Sequence, residues 1–561
     1  MRKTLSLTAA VLVALGLATL AAAVPSASSS RAGRYVVVYD KQVTRAAARA
    51  AIKAAGGTIV RENRRIGVAT VRSSNPRFLA AVARQQSLYG AARNRPIGRA
   101  FPELRRKQDI ERLTSLRRAS RGQSSGSLHV NSANTRGAEP FAPLQWGMQM
   151  IHATADGSYR EERGNHGIKI GIIDTGIDGA HPDIAPNFNR NLSRNFTTDI
   201  PLVDGPCEDE PDQSCSDAAD VDENSHGTHV ASIVGSPINK LGVAGVAPHV
   251  SLVNLRAGQD SGYFFLQASV DALTYAGDRG IDVVNMSYFI DPWLYNCTNH
   301  PLDSPEAQQQ QRTIIEATQR ALDYAHARGV TLIAAAGNSH EDLGAATKVD
   351  TQSPNFPPGQ EYTRIVDNSC LDLPTEGNNV LSISSIGPTT RKADYSNYGV
   401  EQTTVAAPGG FFRDDPWDPG DPVEVGIPNL ILAAYPENVA REFGEINPDG
   451  TPNTPFVLRD CRRRKCAYYQ YLQGTSMASP HATGVAALIV SAHGHGNRMD
   501  PDAVQQILQD TATDHACPEP RLHSYADKGR SPAYDAYCDG TPAFNGFYGH
   551  GIVDALAAVQ D

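Results

Sequence analysis

Three side chains that can act together on an acyl group stand at the ends of separate apolar runs in this chain. The first is a hydroxyl, Ser476, in Gly474-Thr-Ser-Met-Ala-Ser-Pro480. From it Met477, Ala478, His481, Ala482, Val485, Ala486, Leu488 and Ile489 continue with helical spacing, and Pro480 is expected within the tolerated first turn. A nucleophile at a helix N-terminus lies beside unpaired N–H groups and a positive dipole end, which favour a developing oxyanion. Taken alone, Gly-Thr-Ser also reads as a serine N-cap. The second is Asp174, where the buried-strand run Lys169–Ile173 ends on a Thr-Gly turn, the strand edge at which open α/β sheets build sites. The third is His226, in Asn-Ser-His-Gly-Thr-His-Val230, at the mouth of a second apolar helix. One such residue is usually structural. Three of them, in the order Asp, His, Ser, point to covalent catalysis.

The motifs DTGID, HGTHVA, AAAGN and GTSMASP, in that order, are those by which the chain resembles the subtilisin-like serine peptidases, from about Pro143 to Asp561 and with insertions. The resemblance implies a triad of Asp174, His226 and Ser476, whose chain order is that of subtilisin. Serine is a weak nucleophile at its free pKa, so His226 would take its proton and return it to the leaving amine, while Asp174 fixes the imidazole tautomer. His229 and His481 are expected to be structural. The resemblance also makes Asn338, after the strand run Val330–Ala336, the side-chain donor to the tetrahedral oxygen. It implies hydrolysis of peptide bonds in peptide or protein substrates, with autoprocessing from a proenzyme.

The elements that must position these groups alternate. Apolar strand runs at Lys169, Val250, Asp282, Val330, Val380 and Thr404 interleave with helical patterns at His226, Gln267, Thr313, Ser476 and Pro501. The expected fold is α/β, a doubly wound and mostly parallel sheet with helices on both faces. Ahead of it, charge divides the chain of 561 residues. Through Pro140 there are 25 Lys and Arg against 6 Asp and Glu, net +19; the remainder carries 26 against 54, net −28. A basic piece of this kind suits a nucleic-acid arm, but Arg34–Asp40 and Gly67–Arg72 read as strands, and Arg45–Ala55 and Pro76–Gln85 as helices. That small α+β unit resembles the inhibitor-like, ferredoxin-like propeptide of the family, an intramolecular inhibitor and chaperone drawn to an acidic body. No nucleic acid is expected as a partner.

Met1-Arg-Lys, the apolar run Leu5–Leu20 and Ala21–Ala23 have the parts of a signal peptide and are too short and Ala-rich for a membrane anchor. The expected organisation is a signal peptide over 1–23, a propeptide over 24–118, a Ser- and Gly-rich linker with the maturation site over 119–140, and the peptidase over 141–561. The product would be a secreted monomer with no membrane attachment. The 8 cysteines after an export signal suggest disulfides, with short-range pairs Cys207–Cys215, Cys461–Cys466 and Cys517–Cys538 expected.

The chain departs from the family around its substrate. Segments Ser287-Tyr288-Phe289 and Ala335–Gly337 are expected to bind the peptide as an added strand, yet Tyr288-Phe289-Ile290 stand where the family usually has Leu-Gly-Gly. They narrow the pockets, or Phe289 belongs to the core. Long inserted stretches at 291–311 and 409–473, the latter with the basic run 462–465 between two cysteines, favour a rival reading as a processing peptidase of few substrates. A catalytically silent binding protein is the reading from another class, and the intact triad and Asn338 oppose it. Finally, Pro237–Val243 matches a calcium loop of the family. Asp183 and Asn239 would give side-chain oxygens, and Pro237, Leu241 and Val243 carbonyls, to a Ca²⁺ ion.

Overall fold

The β-branched and aromatic residues of Arg34–Tyr39 suit a strand buried on both faces. In the computed structural model they form β1 (Gly33–Tyr39), which pairs antiparallel with β3 (Val68–Ser73) and β4 (Leu88–Arg93); β2 (Thr58–Asn63) lies outside β3. The residues described are 32–94, 111, 113–121, 139–209, 213–357, 359–416, 425–462 and 465–561. The expected signal peptide, nearly all of the expected maturation stretch and the middle of the basic run 462–465 lie outside them.

Alternation along β1 decides what it holds together. Tyr35, Val37 and Tyr39 pack on α1 (Arg45–Ala54) and α2 (Phe78–Val82), while Val36 and Val38 face the other way into the core of the following domain. Around that apolar contact, charges meet in the expected sense: Lys41 pairs with Glu316 at 2.8 Å, Arg65 with Asp278 at 3.3 Å, Arg93 with Glu306 at 3.0 Å, and Arg61 with Asp271.

The following domain is built on seven parallel strands in the order β13-β12-β9-β8-β5-β7-β6. These are β5 (Lys169–Ile173), β6 (Arg194–Asn195), β7 (Ser251–Arg256), β8 (Val283–Met286), β9 (Thr331–Ala335), β12 (Val380–Ile386) and β13 (Val405–Pro408); β10 (Lys348–Asp350) and β11 (Arg364–Val366) form a separate antiparallel pair. A segment of α3 (Thr114–Ala119) precedes them. Ile170 and Ile172 of β5 pack under α4 (His226–Gly235) and α7 (Thr475–His493). Ile173 packs on the opposite face with α5 (Leu266–Arg279) and α6 (Pro305–His326). The doubly wound α/β fold is therefore the one observed. α8 (Pro501–Asp510) starts on an Asp500 side chain that accepts the Asp502 N–H, with Pro501 in its first turn.

Two features differ from the sequence reading. Pro480 lies in the second turn of α7, not the first, where its missing N–H would leave the Ser476 carbonyl without its helical donor. The Ser287 hydroxyl donates to that carbonyl at 3.2 Å instead. The inserted stretch 409–473 is not an irregular loop: β14 (Ile431–Tyr435), β15 (Val457–Arg462) and β16 (Lys465–Leu472) form an antiparallel sheet in the order β14-β16-β15. The three expected short-range disulfides form, with Cys461–Cys466 at the tip of that sheet, and Cys297–Cys370 is a fourth.

This inserted sheet also grips the segment ahead of the domain. Arg117 is buried and bonds Glu445 through Nε at 2.8 Å and Nη2 at 2.9 Å, while its Nη1 donates to the Tyr471 carbonyl at 3.1 Å. Arg117→Ala would strand the Glu445 carboxylate in the interior, a loss of about 3–5 kcal/mol for a buried pair. Limited proteolysis should then cut within 113–121 well before the domain itself yields; unchanged resistance would show that the pair holds nothing.

Candidate active site

Asp174 leaves the carboxyl edge of the sheet directly after β5 and is fully buried. Its Oδ1 accepts the Thr175 N–H at 2.7 Å and lies 2.7 Å from Nδ1 of His226. His226 is the first residue of α4, and Asp222 fixes that helix start. The Asp222 carboxylate accepts the N–H groups of Asn224, Ser225 and Thr228 and, at 2.6 Å, the Thr228 hydroxyl. A negative cap suits the positive helix end.

Ser476 is the second residue of α7, entered through Gly474 at φ 152°, a conformation that favours glycine. Asn338 follows β9. Its Oδ1 accepts both the N–H and the hydroxyl of Thr475 at 2.9 Å, which locks the amide so that Nδ2 faces the serine. The two donors converge on one atom, Oε1 of Glu111, at 2.6 Å from Ser476 Oγ and 3.1 Å from Asn338 Nδ2. The other oxygen of Glu111 lies 3.5 Å from Nε2 of His226. No sequence signal singled out Glu111, a carboxylate inside a basic segment.

The charges follow from burial and company. Burial opposes a charge on His226, but Asp174 and then Glu111 outweigh it and hold the imidazole well above its ordinary range. Burial also raises the Glu111 carboxyl, yet His226, Ser476 and Asn338 bring it below the usual carboxylate value. Burial keeps Asp174 raised, against the pull of His226. The other two histidines are structural as expected. His229 meets the Gln470 carbonyl and is pushed down to about 3 by burial, and His481 meets that of Met477 and is pushed down to about 4.

Residues 165–551 match the model of the subtilase family, Peptidase_S8. The chain belongs to that family. It is similar to subtilisin DY of Bacillus licheniformis, with 27% identity over 346 residues, 62% of this chain and 84% of that protein. It is similar to thermitase of Thermoactinomyces vulgaris, with 25% identity over 397 residues, 71% and 96% of the two chains. Its fold resembles that of the epidermin leader peptide processing serine protease of Staphylococcus aureus, with TM-score 0.61 and 21% identity over 95% of this chain and 98% of that one. This subtilase is a subtilisin-like serine endopeptidase.

The residues expected to bind substrate in this subtilase lie at the ends of β8 and β9 and just beyond. Ser287 is buried, 2.8 Å from the Ser479 hydroxyl. Tyr288 stacks flat on Phe264, with ring centroids 4.2 Å apart. Phe289 turns away and packs on the core around Leu294, Tyr295 and the Cys297–Cys370 bridge. At the end of β9, Ala335 is buried and Gly337 has φ 101°.

The sequence-matched calcium residues also come together. Asp183 accepts from Asn239 Nδ2 at 2.9 Å, the Val243 N–H at 3.2 Å and the Tyr469 hydroxyl at 3.1 Å; Pro237 and Leu241 lie on the same loop. Glu139, which the sequence reading passed over, adds a second carboxylate. Both of its oxygens, and Oδ1 of Asn239, are buried without a hydrogen bond. Burial, then the Glu139 charge, keeps Asp183 well above the carboxylate range. Burial likewise raises Glu139, although the nearby amides of Asn239, Lys240 and Leu241 offset part of the rise without reaching hydrogen-bond geometry. Such oxygens fit a hard cation. A second acidic cluster, Asp199, Asp217 and Asp260, does not call for one, because the buried Arg256 guanidinium already pairs with all three.

Proposed function

We propose that this subtilase hydrolyses peptide bonds through Asp174, His226, Ser476 and Asn338, and that it is secreted as a self-inhibited precursor. The observation that carries the reading is the convergence of Ser476 Oγ and Asn338 Nδ2 on one oxygen, beside an imidazole bonded to Asp174. When a substrate carbonyl oxygen replaces the Glu111 oxygen, Ser476 Oγ attacks the carbonyl carbon and its proton passes to Nε2 of His226. Asp174 stabilises the imidazolium through Nδ1. The tetrahedral oxyanion is held by Asn338 Nδ2 and, as the family resemblance implies, by the Ser476 N–H. The imidazolium then protonates the leaving amine, and water, deprotonated by the same imidazole, releases the acid from the Ser476 ester.

Glu111 blocks each of these steps in the unprocessed chain. It fills the oxyanion position, turns the serine hydroxyl away from its base and favours the protonated imidazole, which cannot accept a proton. What faces Ser476 is a side-chain carboxylate, and that carries no scissile bond. Residues 24–118 would thus be propeptide, with maturation within 119–140 and the peptidase over 141–561. The ion pairs of the first unit and the buried Arg117 support its role as an intramolecular inhibitor. A processing peptidase of few substrates is favoured by one feature, the Tyr288–Phe264 stack in the cleft.

The test is casein degradation by the secreted protein with and without a serine-directed fluorophosphonate. Broad cleavage that the reagent blocks is expected, with label on Ser476 and none on Ser476→Ala. Label without casein cleavage would favour the processing peptidase, and absence of label would leave only a silent scaffold. Asn338→Ala should keep the melting temperature and lower kcat by about 10² to 10³, as loss of an oxyanion donor does in subtilisin; an unchanged kcat would remove Asn338 from the mechanism.

Asp183, Glu139 and Asn239 with the loop Pro237–Val243 would hold a structural calcium ion, which offsets the buried carboxylate charge there. Chelation should lower the melting temperature, and Glu139→Ala should lower it in the presence of calcium and shrink the effect of chelator. A chelator-insensitive melt would show that the loop needs no ion.

A further inference from the structure

Both walls of the cleft rest on one loop, Leu371–Glu376. Leu371 exchanges backbone hydrogen bonds with Asn296 at 2.8 and 3.0 Å, and the Leu373 carbonyl accepts the Ile290 N–H at 2.8 Å, so the loop backs the wall that begins at Ser287. Between those residues, Asp372 reaches the opposite wall: a Cβ placed on Gly337 would stand 3.4 Å from Asp372 Oδ2. Gly337 immediately precedes Asn338, the amide that faces the reacting oxygen.

The carboxyl of Asp372 is only 3% exposed. Among the described residues it has no hydrogen bond and no cation within ion-pair distance. Its N–H donates to Glu376 Oε2 at 2.7 Å, which brings a second carboxylate alongside. Asp350 adds to the acidity. The cation whose charge acts on it, Lys348, is engaged elsewhere: its ammonium donates to the Leu343 carbonyl and sits 5.1 Å from the Tyr295 ring centroid. A buried carboxyl without a partner is costly in an interior, and it persists where something else supplies the partner.

A peptide whose scissile carbonyl oxygen lies at Asn338 Nδ2, and whose backbone lies between Ser287 and Ala335, directs the side chain of that same residue down between the walls. Gly337 adds no side chain of its own there: a Cβ would meet Asn397 Nδ2 at 2.5 Å on one side and Asp372 Oδ2 at 3.4 Å. We propose that Asp372, supported by Glu376, is the floor of the primary specificity pocket and selects a basic residue, Arg or Lys, on the carbonyl side of the cleaved bond. The inference rests on the peptidase reading above and names its substrate class. An entering guanidinium or ammonium supplies the missing partner, with Arg able to bond both carboxylate oxygens. Burial, followed by the Glu376 charge, keeps the empty pocket's Asp372 well above the carboxylate range, and a bound cation reverses that.

The experiment uses the secreted, processed protein and fluorogenic peptides identical except for Arg, Lys, Phe, Leu or Glu at the cleaved residue. We expect kcat/KM for Arg and Lys to exceed that for Phe and Leu by on the order of 10² or more, because an unpaired buried polar group rejects the analogue that lacks its partner. Benzamidine should inhibit competitively. Asp372→Asn should remove most of the preference for Arg and Lys and the benzamidine inhibition, while cleavage after Phe or Leu and fluorophosphonate labelling of Ser476 persist. Preference of the wild-type protein for Phe or Leu, with no inhibition by benzamidine, would overturn the assignment of Asp372 and leave the peptidase reading intact; this outcome does not depend on how the variant folds. Equal loss on every peptide in a labelled Asp372→Asn protein would also overturn it. Failure of Ser476 to label in the wild-type protein would overturn the peptidase reading and this inference together.

Discussion

The structure turns on a carboxylate that cannot be buried alone. Asp174 is fully enclosed, with one oxygen committed to the Thr175 N–H and the His226 imidazole. An isolated interior charge is expensive, so the imidazole must be held against it by something rigid. A parallel sheet provides that rigidity by bringing the ends of β5 and β9 to one edge, where Asp174 and Asn338 leave it. Helix starts supply the rest, with His226 at the mouth of α4 and Ser476 at the mouth of α7. Each start is set by a specific contact: the Asp222 carboxylate caps α4, and the Ser287 hydroxyl takes the carbonyl that Pro480 frees in α7. Removing the start of α4 would take the imidazole from Asp174 and leave its buried carboxylate with the Thr175 N–H alone.

Much of this was legible in sequence because the signals are local. Strand runs, helical spacing and the three reactive side chains at element ends point to the fold and to Asp174, His226 and Ser476 at element ends, whereas Asn338 rests on the family resemblance. The residues missed have partners far along the chain. Glu111 reads as one acid in a basic segment, and its meaning comes from Ser476 more than three hundred residues later. Glu139 is a lone acid in a loop until folding buries it near Asp183, and Asp372 is one until folding carries it to Gly337. The sheet β14-β16-β15 is not legible as strands because they alternate poorly: Tyr468, Tyr469, Gln470 and Tyr471 are buried in succession on both faces. Pro480 shows a different limit. Spacing places a proline within a turn or so of a helix start, and only the Ser287 contact shows how a second-turn position is tolerated.

Electrostatics link the two parts of the chain. The basic first unit meets acids on α5 and α6 through pairs at the surface, each of small individual strength. Its apolar contact through Val36 and Val38 and the buried Arg117–Glu445 pair are the stronger attachments. Together they hold residues 113–121 against the domain, with the Glu111 carboxylate on Ser476 Oγ and Asn338 Nδ2. In the proposed mechanism the donors that meet Glu111 are those that would hold a reacting oxygen, so inhibition and catalysis would draw on one site.

The most direct test of this account is the ¹⁵N NMR titration of His226 in histidine-labelled, unprocessed chain carrying Ser476→Ala, with and without Glu111→Gln. The account predicts an imidazole that stays protonated well above its ordinary range beside Asp174 and Glu111, and a clear fall in that value when the Glu111 charge is removed. The same titration in both proteins would contradict it, because His226 would then not be held between two carboxylates.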